Sequence, residues 1–483
     1  MTTNETIDHA GFPPGTVYDV ASGAQRGLWL AGQRDPSSPA YLMPYAFEVE
    51  GTLEPAALEQ ALRALVDRHQ TLRTAFLLRG TTLFQAILPD TGQISQAGPA
   101  GIDIEAALAR EQSTPFDLAA PPFVRVRIWP IGPERHVVAF TFHHIAMDGR
   151  SVEVFWRELE IHYAAAVAGR PVRLPELPLS YADYAAWEAD WLGTEDYRRR
   201  LDARVERLRV ASAHIDLPEA GSASAGEPWW KGGHRVFRLG RSDTRELARL
   251  AAEYDCTPFA VLLLVYSGLI HRWSGHGGVA IGVPTALRDL PGLENVVGMF
   301  VNTVPVVLDW GDDPSTVEAL RRCRIAVAEA LDSRRVPFDR IAAALPGARR
   351  SGTGSVVAAV FAYEDGRDAG PAGLVLAGTR ARSLRGPEGV AKFELSLDCV
   401  FDGTEVDCRL EWSTRCWDPA LADLFIVHFT AIVRHIAVRP ADRVGRWPMA
   451  DPSAPRDLDW FEAEDVLSDS RWTAWCAGRP VDR

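Results

Sequence analysis

The chain has little cysteine, and its few cysteines follow no pattern typical of a metal site or a disulfide framework. The six cysteines stand at positions 256, 323, 399, 408, 416 and 476. Paired spacings of the kind that zinc sites use do not occur among them. We therefore expect a reduced protein of the cytoplasm that holds no metal and no disulfide framework.

Positive charge is also scarce. The 51 lysines and arginines are outnumbered by 64 acidic residues, which gives a formal net charge of −13. A nucleic-acid-binding surface needs a strongly basic footprint, so we expect no nucleic-acid partner, and non-specific binding to acidic membranes is disfavoured as well. A local basic patch for an acidic partner stays possible.

Long apolar segments and targeting signals are missing too. The N-terminus, Met-Thr-Thr-Asn-Glu-Thr-Ile-Asp, lacks a basic region followed by an apolar core, so no signal peptide is predicted. The longest apolar run, Phe259 to Ile270, is too short to cross a bilayer and predicts a buried helix. What remains is an ordinary globular composition, 47% hydrophobic and 24% charged, over 483 residues, which is enough for two or three domains.

The clearest chemical signal lies at residues 141–151, Thr-Phe-His-His-Ile-Ala-Met-Asp-Gly-Arg-Ser. Two apolar runs just upstream, Phe123 to Ile131 and His136 to His144, predict neighbouring buried strands. Ser151 can cap a helix with an apolar stripe, so the histidine pair ends a strand at a strand-to-helix junction.

Adjacent histidines on a strand point to opposite faces, so one can face a cleft while the other faces the interior. Asp148 is placed to fix the turn, and Gly149 permits a backbone conformation that other residues resist. The plainer interpretation is a structural histidine beside a capping aspartate. Because two histidines, an aspartate and a glycine occur together, we favour a catalytic site.

This stretch resembles the His-His-x-x-x-Asp-Gly motif of nonribosomal peptide synthetase condensation domains. Those domains belong to a wider acyltransferase superfamily that includes chloramphenicol acetyltransferase. Further stretches resemble the other motifs of the family in the family's order, at residues 22–29, 68–76, 181–187, 282–288, 298–303 and 336–341. Gly27 departs from the first motif, and the last motif lacks a histidine that often precedes its proline.

The resemblance implies an α/β fold of two chloramphenicol-acetyltransferase-like lobes that form a V-shaped pseudo-dimer. The active site would lie in a tunnel at the seam. We predict an N-terminal lobe over residues 1–178 that carries the histidine motif, and a C-terminal lobe over 179–445. An acidic, tryptophan-containing tail of open role follows at 446–483.

The resemblance also implies roles for individual residues. His144 would carry the chemistry beside His143, with Asp148 as a structural partner held by Arg288, and an amide near Gly149 would stabilise the oxyanion. The other expected residues comprise one that supports the fold near the site and three that line the tunnel: Arg73 for support, and Asn302, Arg150 and Met147 for the lining.

The implied activity is acyl, aminoacyl or peptidyl transfer from a carrier-protein thioester to an amine or hydroxyl acceptor, which is small or carrier-bound. The chain itself would bind no cofactor, because phosphopantetheine arrives on the carrier protein. No adenylation or carrier segment is seen, so we expect a free-standing, monomeric enzyme. The alternatives are a coenzyme A-dependent acyltransferase, an epimerase, and a non-catalytic recruitment domain.

Overall fold

A computed structural model describes residues 12–209, 227–345, 357–366, 373–384 and 389–449. The chain divides into two compact units. Unit 1 comprises Met1–Gly193, Arg288–Phe300 and Gly373–Leu384, and unit 2 comprises Thr194–Leu287, Val301–Ala372 and Arg385–Arg483.

Unit 1 is a mixed α/β unit with a five-stranded and a three-stranded sheet. Its elements, numbered along the chain, are β1 (Val17–Val20), α1 (Gly23–Arg34), β2 (Leu42–Gly51), α2 (Pro55–Arg68), a 3₁₀ turn (Gln70–Arg73), β3 (Thr74–Arg79), β4 (Thr82–Ile87), β5 (Ser95–Ala97), α3 (Ile104–Ser113), β6 (Val124–Gly132), β7 (Arg135–His143), α4 (Gly149–Val167), α5 (Tyr181–Leu192) and, from a later segment, β12 (Thr379–Ser383).

The five-stranded sheet, in the order β12-β2-β7-β6-β5, presents the histidine pair. The two apolar runs predicted as neighbouring strands are β6 and β7, which pair antiparallel, so that prediction is confirmed. On the other side of β7, strand β2 pairs in a register that sets Leu42 opposite His143. Alternate β7 side chains, Phe140 and Phe142, pack edge-on against Trp156 of α4, which fixes α4 across the sheet.

Unit 2 is built on one six-stranded sheet in the order β10-β9-β11-β13-β14-β8. Its described elements are α6 (Glu195–Arg209), β8 (Gly232–Leu239), α7 (Arg241–Glu253), α8 (Pro258–Ser274), β9 (Gly278–Ala286), β10 (Val301–Asp309), α9 (Thr316–Asp332), α10 (Phe338–Ala344), β11 (Ala359–Asp365), β13 (Leu395–Phe401), β14 (Val406–Ser413), α11 (Pro419–Val438) and a 3₁₀ turn (Val444–Arg446).

Two strongly apolar helices, α8 and α11, lie in the core of unit 2. The predicted buried helix is α8, in which every residue from Ala260 to Ile270 is buried, so that prediction is confirmed. By length and composition α11 could cross a membrane, and α7 with α8 would pass the same test as a single bent span. Ten of the α11 residues are buried inside unit 2, which is the pattern of a core helix.

The division into units differs from the predicted boundary between residues 178 and 179. Helix α5 belongs to unit 1, and two later segments return to that unit. The segment Gly373–Leu384 contains β12, which pairs with β2. The segment Arg288–Phe300 contains Gly298, whose carbonyl oxygen accepts a hydrogen bond from Asp148 N at 3.1 Å. Such long-range pairing follows from the tertiary structure and leaves no local mark in the sequence.

The predicted tail is described only at its start. Trp447 is buried in the core of unit 2, and its indole N–H donates to Thr316 Oγ1 at 2.9 Å. Residues 446–449 therefore belong to the packed body, while Trp460, Trp472 and Trp475 lie outside the described residues.

Two helical glycines make a matched test of the packing of unit 2. A Cβ on Gly268 of α8 would lie 2.4 Å from Trp447 Cζ3, whereas a Cβ on Gly27 of α1 would meet nothing within 4 Å. We expect Gly268→Ala to lower the free energy of unfolding by about 1–3 kcal/mol, because the indole has to move. Gly27→Ala should be neutral or stabilise by up to about 1 kcal/mol. Urea denaturation of both variants tests this, and equal effects would contradict the packing described for Trp447.

Candidate active site

The histidine pair lies where β7 ends, and the two rings have different surroundings. His143 is buried, whereas His144 is partly exposed, as expected for neighbours on opposite faces of a strand. The backbone N–H of His144 donates to Tyr41 O at 2.9 Å, so the strand pairing with the β2 side extends to this residue. The imidazole of His144 is therefore carried by ordered backbone.

The tautomer of His144 follows from its partner. Its Nδ1 lies 2.9 Å from Met147 O, and a carbonyl oxygen can only accept a hydrogen bond. Nδ1 must therefore carry the proton in this contact, and Nε2 is the basic nitrogen of the neutral ring. The turn between β7 and α4 thus selects the tautomer in which Nε2 can accept a proton.

His143 helps to build the same turn. Its Nδ1 accepts a hydrogen bond from Ile145 N at 3.0 Å, so its proton lies on Nε2. The ring sits between Phe116 and Phe123, with centroids 6.1 Å from each. Burial, with smaller contributions from His144 and Arg125, lowers the pKa of His143 from 6.5 to about 3. A neutral His143 is a structural support for the turn rather than a second base.

Asp148, and not the predicted Ser151, caps α4. Its Oδ1 accepts from Ser151 N at 2.8 Å, and its backbone is extended. The side-chain oxygen reaches the third residue of the helix, so Ser151 itself is already inside the first turn. Gly149 is the first helical residue and does not have a positive φ. The prediction that it adopts a backbone conformation which other residues resist is therefore wrong.

The carboxylate of Asp148 forms an almost completely buried ion pair with Arg288. Arg288 Nη2 lies 2.8 Å from Asp148 Oδ1, and the side chains are 10% and 2% exposed. The contact is single rather than bidentate, because Arg288 Nη1 donates to the carbonyls of Leu293 and Val296. Arg288 therefore joins the start of α4 to the segment 288–300.

Two further residues complete this centre, and sequence reasoning missed both. The hydroxyl of Ser151 lies 2.7 Å from Arg288 Nη2 and accepts from Gly298 N at 3.0 Å. Phe300 N donates to the second oxygen of Asp148 at 3.1 Å, and the Phe300 ring lies 4.1 Å from the Arg288 guanidinium. Phe300 lies within the stretch 298–303 that resembles a family motif, and Ser151 follows Asp148 by three residues, but neither position indicated a contact with the ion pair.

Segment 288–300 is held from two more directions. Thr71 Oγ1 donates to Val297 O at 3.1 Å, and the phenol of Tyr181 donates to Met299 O at 2.6 Å. A Cβ on Gly298 would lie 1.9 Å from the Tyr181 ring, so only glycine fits there. The motif-like stretches at residues 68–76 and 181–187 therefore hold this segment in place through hydrogen bonds.

Arg73, expected to support the fold near the site, makes its described hydrogen bonds with the backbone of unit 1. It donates to the backbone carbonyls of Leu88 and Asp67, so it ties the end of α2 to the chain that follows β4. The residue of that motif that reaches the segment facing the site is Thr71. Thr71 and Arg73 both lie in the 3₁₀ turn, and the sequence carried no signal that their contacts differ.

The three residues expected to line a tunnel have different positions. The Met147 side chain is fully buried, so it lines no open passage, and the residue acts through its carbonyl. Arg150 is exposed and pairs with Glu153 on α4. Asn302, in unit 2, is buried. Its side-chain N–H groups donate to Arg334 O and Val336 O, and its side-chain oxygen accepts from Phe338 N, which holds the loop before α10 in place.

Among the residues that the structure describes, no group of three or more histidine, cysteine, aspartate or glutamate side chains could hold a metal ion. The described site thus consists of one partly exposed imidazole on a turn that a buried ion pair supports.

Comparison with known proteins identifies the family. The model of the condensation domain matches residues 17–458. The chain belongs to this family. Two similar curated proteins are the phosphinothricin tripeptide synthetase PhsC of Streptomyces viridochromogenes, 31% identical over 93% of this chain, and a dimodular nonribosomal peptide synthase of Bacillus subtilis, 31% identical over 92%. The chain spans 42% and 19% of their lengths.

Solved structures agree on the fold. The X-domain from teicoplanin biosynthesis superposes with a TM-score of 0.80 at 24% identity, covering 91% of this chain and 99% of that one. The first condensation domain of the CDA synthetase gives 0.70 at 20% identity, covering 90% and 99%. The expected condensation-type α/β fold of two chloramphenicol-acetyltransferase-like lobes is confirmed, while the V-shaped arrangement and the tunnel at its seam stay predictions.

The ion pair generates a stability prediction. Asp148→Ala should lower the free energy of unfolding by about 3–5 kcal/mol, because it leaves the guanidinium of Arg288 buried without its counter-charge. The exposed pair Arg198–Glu195 supplies the control, since Arg198→Ala should cost less than about 1 kcal/mol. Urea denaturation measures both, and an unchanged midpoint for Asp148→Ala would contradict the structural role of the pair.

The depressed pKa of His143 generates a pH prediction. The unfolded chain binds the His143 proton near pH 6.5 and the folded chain only near pH 3, so acid favours unfolding between these values. We expect the free energy of unfolding to fall by about 4–5 kcal/mol across that window from this residue alone. His143→Asn, which keeps an acceptor but cannot be protonated there, should lose that component of the pH dependence. Parallel pH profiles for the two proteins would refute a buried, neutral His143.

Proposed function

We propose that the protein is an acyltransferase of the condensation type. It would move an acyl, aminoacyl or peptidyl group from a carrier-protein phosphopantetheine thioester to an amine or hydroxyl acceptor. The observation that carries the proposal is the contact between His144 Nδ1 and Met147 O, because it makes Nε2 the basic nitrogen on a partly exposed ring.

The proposed step is direct transfer without a covalent enzyme intermediate. The acceptor nitrogen or oxygen attacks the thioester carbon while His144 Nε2 takes its proton. The tetrahedral intermediate then collapses, the C–S bond breaks, and the proton passes to the departing thiolate. General-base help of this kind contributes about 10²–10⁴-fold in rate.

The start of α4 supplies donors for the charge on the tetrahedral oxygen. Of the first-turn amides, Ser151 N is used by Asp148, and Val152 N bonds Asp148 O at 3.1 Å. The amides of Gly149 and Arg150 are the first two of the helix, which have no acceptor within it. We assign Gly149 N, supported by the positive end of the helix dipole, to the developing oxyanion.

The donor and the partner are part of the proposal. Membership of the condensation-domain family supports a carrier-protein-bound thioester as the substrate form, with phosphopantetheine brought by the carrier. Because the chain spans under half of the length of the two relatives described above, the free-standing organisation stays a prediction, as do the monomeric state and the cytoplasmic location.

A second candidate function is recruitment of another protein. The X-domain was also solved in a complex with OxyB, and this chain superposes on it with a TM-score of 0.79 at 25% identity. A recruitment domain would not depend on the tautomer of His144. The two functions therefore differ in whether the protein turns over a loaded carrier.

The test is an assay with a carrier protein loaded with an acyl group and with candidate acceptors, followed by mass spectrometry of the products. We expect His144→Ala to reduce turnover by about 10²–10⁴-fold with an unchanged melting temperature. His162→Ala, which removes a half-buried histidine further along α4, is the matched control and should retain turnover.

Each other outcome has a meaning. Near-normal turnover by His144→Ala would refute the general-base assignment. Equal use of a coenzyme A thioester would indicate a coenzyme A-dependent acyltransferase, and loss of stereochemistry without a new bond would indicate an epimerase. Binding of a partner protein with no turnover of any loaded carrier would favour recruitment.

A further inference from the structure

The β13–β14 hairpin of unit 2 brings two thiols face to face. Its strands pair antiparallel with Cys399 directly opposite Cys408. The two sulfur atoms lie 3.5 Å apart, and both side chains are fully buried among the core residues of the unit. Both are free cysteines in the structure.

The hydrogen-bond pattern shows which kind of antiparallel pair this is. Asp402 N donates to Glu405 O at the turn, and Ser413 N donates to Glu394 O at the far end of the hairpin. Hydrogen-bonded and non-hydrogen-bonded pairs alternate along such a ladder, so both contacts assign Cys399 and Cys408 to a non-hydrogen-bonded pair.

That assignment matters for disulfide geometry. Non-hydrogen-bonded pairs have Cα atoms about 4.5 Å apart and closer side chains than their neighbours. Disulfides span Cα separations of about 4.4–6.8 Å. A bond between these two sulfurs therefore requires them to approach from 3.5 Å, without a change of strand register.

We propose that Cys399 and Cys408 form a reversible intramolecular disulfide when the protein meets a hydroperoxide, which makes this hairpin a redox-sensitive element. In the first step one thiolate attacks the peroxide oxygen and becomes a sulfenic acid, while the peroxide is reduced to an alcohol or water. In the second, the other thiol attacks the sulfenic sulfur and expels water. Two thiols are oxidised for each peroxide reduced.

Access to the pair comes from the turn. Only two rungs of the ladder separate the cysteines from Asp402 and Glu405, and the tip residues Gly403 and Thr404 are exposed. Strands β13 and β14 are also paired on their outer edges, with β11 and β8, so this end of the sheet opens only rarely. Burial and the neighbouring thiol raise the pKa of Cys408 well above its ordinary value, so reaction should be slow in the closed hairpin and should follow its opening.

The sequence makes the test direct, because both cysteines fall in one tryptic peptide, residues 393–409. The folded protein is treated with hydrogen peroxide, the peroxide is removed, the remaining thiols are alkylated in denaturant, and the digest is examined by mass spectrometry. We expect this peptide to lose two hydrogen atoms, to take no alkylating reagent, and to regain both thiols with dithiothreitol. The oxidised protein should melt roughly 2–6 °C higher than the reduced one.

Variants separate the pair from the other thiols. Cys399→Ser and Cys408→Ser should each abolish the two-hydrogen loss, whereas Cys323→Ser, which removes another fully buried thiol of unit 2, should leave it unchanged. The proposal is overturned if both thiols still take the alkylating reagent in denaturant after the folded protein has been treated with peroxide, if the bond forms only in urea, or if either cysteine is instead oxidised to a sulfinic acid or linked to another cysteine.

Discussion

The buried contact between Asp148 and Arg288 is the constraint on which the candidate site depends. Asp148 uses both carboxylate oxygens, one for Arg288 and the first turn of α4, the other for Phe300 N. An isolated carboxylate would be costly to bury, and here a guanidinium and several N–H groups compensate it. The same contact fixes where α4 begins and where segment 288–300 lies.

The turn between β7 and α4 is held at both of its ends. His143 belongs to the sheet, and Asp148 is tied to Arg288, so the four residues between them have little freedom. Within this turn His143 accepts from Ile145 N, and His144 donates to Met147 O. The chemistry proposed for His144 thus rests on the backbone geometry of this turn, which the side chains of His143 and Asp148 support.

Much of the local structure could be predicted from the sequence. Alternating and continuous apolar runs predicted β6 and β7, and the apolar run from Phe259 predicted a buried helix. The motif at residues 143–149 predicted a strand, a turn and a helix in that order, because each part has its own local signal. The pairing of Asp148 with Arg288 followed from the family resemblance and not from spacing.

What could not be predicted depends on contacts between distant parts of the chain. Ser151 and Phe300 meet at the ion pair although 149 positions separate them, and β12 joins a sheet formed mainly by the first third of the chain. Met147 and Asn302 were expected to face a tunnel because of their motif positions. Their burial and their backbone contacts are properties of packing, which a motif does not encode.

The tautomer of His144 is the most direct test of this account. Nitrogen-15 NMR of the protein labelled at histidine distinguishes a protonated Nδ1 from a protonated Nε2 by their chemical shifts and ring couplings. At neutral pH the account predicts a His144 ring that carries its proton on Nδ1, held by Met147 O. A neutral His144 protonated on Nε2 would contradict it, because the turn would then present a donor where the proposed reaction needs a base.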